Sequence, residues 1–564
     1  MIKDPYMKAF TSLTFVIGLG LSTNLIAQAD KILMNANIYG HQEADAIVIA
    51  DGNIVYVGSY EEAESYSDAS TQRMDLKNAY VLPGFVDNHN HVFEAASEAG
   101  GSCELSMDGG LREQISYLKR CRSDASSDNN EWLMGYGFSI ESILNTNVNK
   151  TPLQVIDKIF PEKPVVLMEL TSHSMWVNSA ALNLAGITKY SPEPQGGKIL
   201  KDEETGELTG ILLDNAGDIL MEMAWNSLNN QFDQSYDGLM VGLEEAAAHG
   251  ITTIGDGRLY WKRGWFEVWQ AAEKAGDLTA RVSLRPWIYP TDPMQEQLAF
   301  LKKVQSSDTS RLLMLDQVKM YSDGITLNGT AKLLEPYHDT YIPDEPYGIN
   351  YIPPKQMSVW LNALDKIGYS AHIHAIGDGA VNESLNAIEN MRQQGSTKPY
   401  TLTHVELVNK NDVPRFEALD VTADFQVGSD YVAYHDHQWA TSFIGRSRTN
   451  ALMNPRAIYN TGANLTLSSD WNVHDINPLV GIANSLIMGK TGLPNIQAAI
   501  EAYTINAAKS LGLENITGSI EEGKSADLVV LKADITQMRP KQIAKTPILM
   551  TFLQGDLVFD IKQN

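Results

Sequence analysis

Between residues 165 and 467 the sequence keeps returning to one local pattern, a short apolar run followed by a stretch with helical spacing. The runs fall at 165–167, 252–254, 318–320, 372–374, 401–403 and 465–467, and the helical stretches include 239–249 and 381–394. Runs that are apolar along their whole length suit strands covered on both faces, and strands separated by helices suit parallel pairing. The number of units suits a closed barrel, whose chemistry gathers at the C-terminal ends of its strands. The two ends of the chain read differently. From residue 31 to 81, β-type runs such as Ala46-Ile47-Val48-Ile49 and Ile54-Val55-Tyr56-Val57 alternate with turns such as Asp51-Gly52-Asn53. A matching set closes the chain, in Asp527-Leu528-Val529-Val530-Leu531, Met550-Thr551-Phe552-Leu553 and Gly555-Asp556-Leu557-Val558. The expected fold class is α/β. A closed barrel of such units would cover 83–514, and the two chain ends, 30–82 and 515–564, could form one β domain together.

Composition narrows the function. With 43% hydrophobic residues in 564, the chain can bury a sizeable core, which excludes a disordered tail or a disulfide-built miniprotein. The net charge of −26, with basic residues scattered among more numerous acids, argues against a nucleic-acid partner. Lys3 and Lys8 precede an apolar stretch that ends on Ala27-Gln28-Ala29, a small-x-small cleavage pattern. Residues 1–29 therefore read as a signal peptide, against the alternative of a membrane anchor, for which the stretch carries many hydroxyl residues. The expected product is exported, periplasmic or secreted, with no membrane association after cleavage. The only cysteines, Cys103 and Cys121, form either a disulfide or two buried thiols, and neither has a redox or thiolate-metal context.

The chemistry is written at the strand ends. Leu82-Pro83-Gly84-Phe85-Val86-Asp87-Asn88-His89-Asn90-His91 is an apolar strand closing on His-x-His, and residues two apart on a strand face the same side. His374, His404 and Asp470 each end another run. Four imidazoles and a carboxylate gathered at strand ends make a metal cage.

These segments resemble amidohydrolase family 3 of the metal-dependent amidohydrolase superfamily, which includes N-substituted formamide deformylase-like proteins. The resemblance extends through Ser172-His173-Ser174-Met175-Trp176-Val177-Asn178, Val318-Lys319-Met320-Tyr321-Ser322-Asp323-Gly324, His374-Ala375-Ile376-Gly377-Asp378, Ser469-Asp470-Trp471 and the closing Gly518-Ser519-Ile520-Glu521-Glu522-Gly523. It implies a (β/α)8 TIM-type barrel with insertions, a flanking composite β domain formed by the N- and C-terminal segments, and a zinc site of one or two ions, other divalent metals being possible. His89, His91 and Asp470 would hold the first ion, and His374 and His404 the second. Lys319 would bridge them as a carboxylated lysine, its carbamate supplying the negative charge that an ammonium lacks; the competing reading keeps Lys319 cationic. The implied reaction is hydrolysis of a non-peptide C–N bond, in an amide or N-substituted formamide, by metal-activated hydroxide. Asp470 would serve as ligand and general acid/base together.

His173, Trp176 and Asn178 would contact the substrate carbonyl or its oxyanion, or else form a structural turn. His474 is a further candidate substrate contact, whereas His372 reads as packing and His435 and His437 as rim residues. Asp256 would orient a ligand or cap a helix. Trp132, Phe138, Trp261, Trp265 and Tyr337 would line an apolar pocket or pack the core. The chain departs from the commoner pattern at Asn472, where relatives often have proline, and at Thr403, where a Glu-His pair is commoner. Both changes bear on specificity rather than metal binding. A deaminase of a heterocyclic or aryl amine, and a non-catalytic binding module, are the alternative functions. The expected partner is a small-molecule amide, with a homodimer compatible.

Overall fold

The computed structural model describes residues 28–96, 101–124, 130–144 and 150–563. The signal-peptide reading rests on residues outside these, apart from the last two of its 29. The structure is α/β throughout. Four parallel strands form one sheet in the order Leu313–Met314, Arg281–Ser283, Ile251–Asp256, Phe85–Asn90. Five more form a second parallel sheet in the order Gln317–Tyr321, Ser370–Ala375, Tyr400–His404, Val421–Gln426, Leu465–Ser468. Almost every residue of these strands is buried, the packing expected of strands covered on both faces. The sheets meet at both edges. Lys319 N donates to Pro286 O and Ile288 N to Lys319 O, while Asp470 N donates to His89 O and His91 N to Trp471 O. Those edge contacts run through the very residues that carry the chemistry.

The chain ends pair with each other as the alternating pattern indicates. Tyr80–Pro83 lies antiparallel to Leu528–Leu531, which continues into Ile548–Leu553 and Asp556–Asp560. Leu33, Ile47, Ile49 and Val81 share one apolar cluster with Leu528, Val530 and Phe552, so the two termini are joined by a common core. No helix among the described residues is long and apolar enough to cross a membrane.

One expectation needs correction. The run at 165–167 does not belong with the central parallel strands. It lies in a separate six-stranded sheet, in the order Gly197–Lys201, Leu208–Asp214, Ser174–Val177, Val165–Glu169, Leu133–Phe138, Cys103–Glu104. A buried apolar run has the same sequence signature in any fully covered strand, so periodicity cannot say which sheet it joins. This inserted sheet has its own core, with Trp176, Phe138, Val155 and Ile156 among its members. Cys103 and Cys121 are joined in a disulfide that ties its edge strand to the helix Leu111–Asp124.

Candidate metal centre

His89 and His91 leave the Phe85–Asn90 strand with their Nε2 atoms 3.1 Å apart. Asp470 Oδ1 lies 3.3 Å from the first and 3.1 Å from the second, closing a triangle of donor atoms. His404 Nδ1 is 3.8 Å from Asp470 Oδ2. Two imidazole nitrogens and a carboxylate oxygen have no reason to crowd together unless a cation or proton lies between them. Zinc–nitrogen bonds of about 2.05 Å in a tetrahedron place neighbouring donors roughly 3.3 Å apart, which is the spacing seen here. The residues therefore fit a divalent ion.

The surrounding network fixes the tautomers. His89 Nδ1 lies 2.9 Å from both His372 Nε2 and Thr403 Oγ1, so its proton belongs on Nδ1 and its lone pair on Nε2. Thr403 donates to Asp424, which also accepts from Thr466, Ser468 and Gln426. Although His89, His372 and Asp424 could in principle group around an ion, their facing atoms are spent on these hydrogen bonds. His91 is held from behind by Glu94, 3.4 Å from Nδ1, and Glu94 pairs with Arg258 at 3.1 Å. Burial would raise the Glu94 carboxyl, but His91 and the arginines Arg258 and Arg263 bring it down to about 2. Asp87 anchors the loop that carries Asp470, accepting from Ser469 N at 2.9 Å and Ser469 Oγ at 2.5 Å. The backbone there is strained: Asp470 and His404 adopt φ of 52° and 74°, a region that side chains avoid unless the fold imposes it.

His374 is arranged differently. Its Nε2 donates to Gly324 O at 3.0 Å, which leaves the lone pair on Nδ1, and that atom is buried without a hydrogen-bond partner. Its ring stacks on Tyr321 at 4.1 Å and meets His404 at 4.4 Å. Burial drives His89 and His374 well below the ordinary histidine pKa, and His404 down to about 3. All three are neutral with lone pairs available. Burial alone would raise the Asp470 carboxyl, yet the hydrogen bond from His91 holds it far below the carboxylate range. Lys319 is fully buried, its Nζ 3.1 and 3.4 Å from His89 Nε2 and Nδ1, alongside the ring rather than in line with one lone pair. Burial holds its ammonium well below the ordinary lysine value, against the opposing pull of Asp470.

A match to the amidohydrolase family model spans residues 72–559. The chain belongs to the amidohydrolase family. It is thus a hydrolase acting on C–N bonds. Two curated amidohydrolase relatives match along nearly their whole length. The putative amidohydrolase YtcJ of Bacillus subtilis (strain 168) is 26% identical over 92% of this chain and 96% of its own. The N-substituted formamide deformylase of Arthrobacter pascens is 25% identical over 94% and 98%. Among solved structures, an uncharacterized metal-dependent hydrolase from Pyrococcus horikoshii OT3 superimposes with a TM-score of 0.70 at 21% identity, over 91% of this chain and 99% of that one. Its counterpart from Pyrococcus furiosus gives 0.67 at 21%, over 90% and 100%.

The remaining residues sort by what they touch. A cavity of about 30 Å³ beside the donor triangle is bordered by His91, His173, Arg258, Tyr321, His404 and Asp470, among others. His173 thus reaches the site, with Nδ1 2.7 Å from Asp214 Oδ1. Trp176 and Asn178 do not. Trp176 is packed edge-on against Phe138 inside the inserted sheet. Asn178 caps the helix Ser179–Leu184 through Ala181 N and bonds Val165 N, Phe160 O and Lys163 O. Their sequence proximity to His173 was misleading because a short strand carries the chain away from the site. His474 does not border the cavity either; its Nδ1 is 2.5 Å from Ser429 Oγ, behind the Asp470 loop. His372 is more than packing, since it holds His89. Asp256 is a buried carboxyl raised to about 7 by burial and by the charge of Glu94. Of the five aromatics expected at a pocket, only Trp132 borders a large cavity; Phe138 and Trp265 are core, Trp261 stacks on Phe300 and Tyr337 donates to Ala331 O. Sequence reasoning missed Asp87, Glu94, Asp214, Arg258 and Asp424. Glu94 alone carried a usable signal, its spacing three residues beyond His91.

Proposed function

We propose that this protein is an exported, metal-dependent amidohydrolase that cleaves a non-peptide C–N bond, an amide or N-substituted formamide, in a small-molecule substrate. The observation that carries this reading is the triangle of His89, His91 and Asp470 donor atoms at the mouth of the parallel strands, open to a cavity. Counting Leu313–Met314 and Gln317–Tyr321 as one run, eight parallel runs whose outer edges are hydrogen-bonded support a (β/α)8 barrel. The paired terminal segments support a composite β domain beside it. The disulfide supports an oxidising destination.

His89, His91 and Asp470 would hold one ion, and His374 through Nδ1 with His404 a second. A nitrogen-and-oxygen donor set of this kind favours zinc. A divalent ion bound there polarises a carbonyl and lowers the proton affinity of water. The chain supplies the rest. Lys319, buried and driven toward the free amine, would add carbon dioxide, forming an N–C bond as a C–O π bond opens and a proton is released, and would then offer the site a carbamate anion. Asp470 accepts the proton of the attacking water and delivers it to the leaving nitrogen, so that the amine departs neutral. His173, fixed by Asp214, faces the same cavity and orients the substrate amide.

The test is product analysis after incubating the zinc-loaded protein with a panel of formamides and N-alkyl or N-aryl amides. Equimolar amine and carboxylic acid, or formate, is the expected result. Ammonia without an acid product from heterocyclic amines would establish the deaminase instead, and binding without turnover the binding module.

A further inference from the structure

A cavity of about 30 Å³ at the donor triangle holds little more than a water molecule, so the substituents of any substrate must extend into neighbouring space. Two larger cavities lie alongside. One, of about 650 Å³, meets the site through a chamber of about 10 Å³ that shares Asp218 and Tyr260 with it and Glu94 and Arg258 with the site. Arg258 stands across that chamber. It is 6% exposed, donates to Glu94 Oε1 and Tyr321 Oη at 3.1 Å each, and lies over the Tyr260 ring at 4.7 Å. Moving it aside would release Glu94, which holds His91, so this passage is blocked by the machinery itself.

The other cavity, of about 540 Å³, borders the site directly through Ser172 and Asn472. Its wall carries Met107, Tyr136 and Leu170, apolar side chains left 54%, 39% and 47% exposed. Leu170 sits on the turn that delivers His173: Thr171 N donates to Glu169 Oε2 at 2.7 Å and Ser172 N to Glu169 O at 2.9 Å. One tight turn thus aims Leu170 into this cavity and His173 into the site. Glu104, Asp108 and Asp124 outnumber Arg120 on the same wall and so disfavour an anionic occupant.

Resting on the amidohydrolase reading, we propose that the 540 Å³ cavity is the subsite for the larger substituent of the substrate amide, an apolar group of aryl or branched-alkyl type without negative charge. Tyr136, Leu170 and Met107 are then its specificity-determining residues. Apolar side chains exposed in a concave wall next to a reaction centre gain most when a ligand covers them.

The test uses the zinc-loaded full chain and two probes, N-propylformamide and N-(2-phenylethyl)formamide, with binding followed by ligand-observed NMR and turnover by amine release. Tyr136→Ala and Leu170→Gln are each expected to weaken binding of the phenylethyl probe about five- to tenfold while leaving the propyl probe within about twofold. Met223→Ala, in the 650 Å³ cavity, is expected to change neither. Because all three positions are partly exposed, circular dichroism should confirm an unchanged fold, and Met107→Gln provides an independent variant of the same wall. Equal affinity of wild type for both probes, or weakening by Met223→Ala alone, would overturn the proposal. Selective binding of the phenylethyl probe without turnover would sink the hydrolase reading and leave the subsite standing.

Discussion

The His89–His91–Asp470 corner and the His374 corner are built to different degrees. In the first, three donor atoms lie within 3.3 Å of one another, and each residue is held from behind: His89 by His372 and Thr403, His91 by Glu94, Asp470 by the loop that Asp87 anchors. In the second, a lone pair waits on His374 Nδ1, and the ring is held by the Gly324 carbonyl and by stacking on Tyr321. On the proposed reading the first corner would define an ion position by itself, whereas the second would need an anionic group from Lys319 to complete it.

Several substitutions would sharpen or break that contrast. The largest effect is expected at Asp470, which belongs to the first corner and carries the proton. Asp470→Asn should lose turnover by on the order of 100-fold or more while the thermal midpoint stays close to wild type; a loss under about tenfold would remove Asp470 from the chemistry. Next come the ligands. His89→Ala should abolish binding at both positions, because it dismantles the corner on which the second depends, whereas His374→Ala should cost only the second ion, as read by elemental analysis. Equal losses would erase the distinction between the corners. Glu94→Gln should weaken binding at the first position by about 10- to 100-fold without emptying the second, as a change behind a ligand does.

The smallest effect separates loss of metal from loss of fold. Asp316, away from both corners, has its carboxyl raised to about 6, chiefly by burial and against the opposing charge of Lys398. A folded-state value above the unfolded one means that its contribution to stability is present below about pH 4 and lost as pH rises through about 6. Asp316→Asn should therefore match wild type at pH 4 and exceed it by roughly 1–2 kcal/mol at pH 8 in denaturant melts. Identical curves at both pH values would contradict the assignment.

Much of this was legible in the sequence. The parallel strands and the paired termini follow from apolar runs and turn residues, and His89, His91, His374, His404 and Asp470 stand at strand ends where side-chain alternation places them. Three strands of the central sheets were not legible: Arg281–Ser283 and Val421–Gln426, where Arg281 or Asp424 and Gln426 interrupt the apolar character to make buried polar contacts, and Leu313–Met314, which is only two residues long. The inserted sheet escaped because periodicity reports burial rather than partnership. Trp176 and Asn178 were misplaced for the same reason, being read from their neighbour instead of from their contacts. Asp214 and Asp424 act on residues distant in sequence, and only the folded arrangement shows whom they hold.

The central claim is that Lys319 joins two unequal corners into one binuclear site. Its most direct test is metal per chain, by elemental analysis, on protein purified without added metal or chelator, comparing wild type with Lys319→Ala. The account predicts about two ions per chain in wild type, as expected of a bridged pair, falling to one or fewer in the variant. Equal metal content in the two proteins would contradict it.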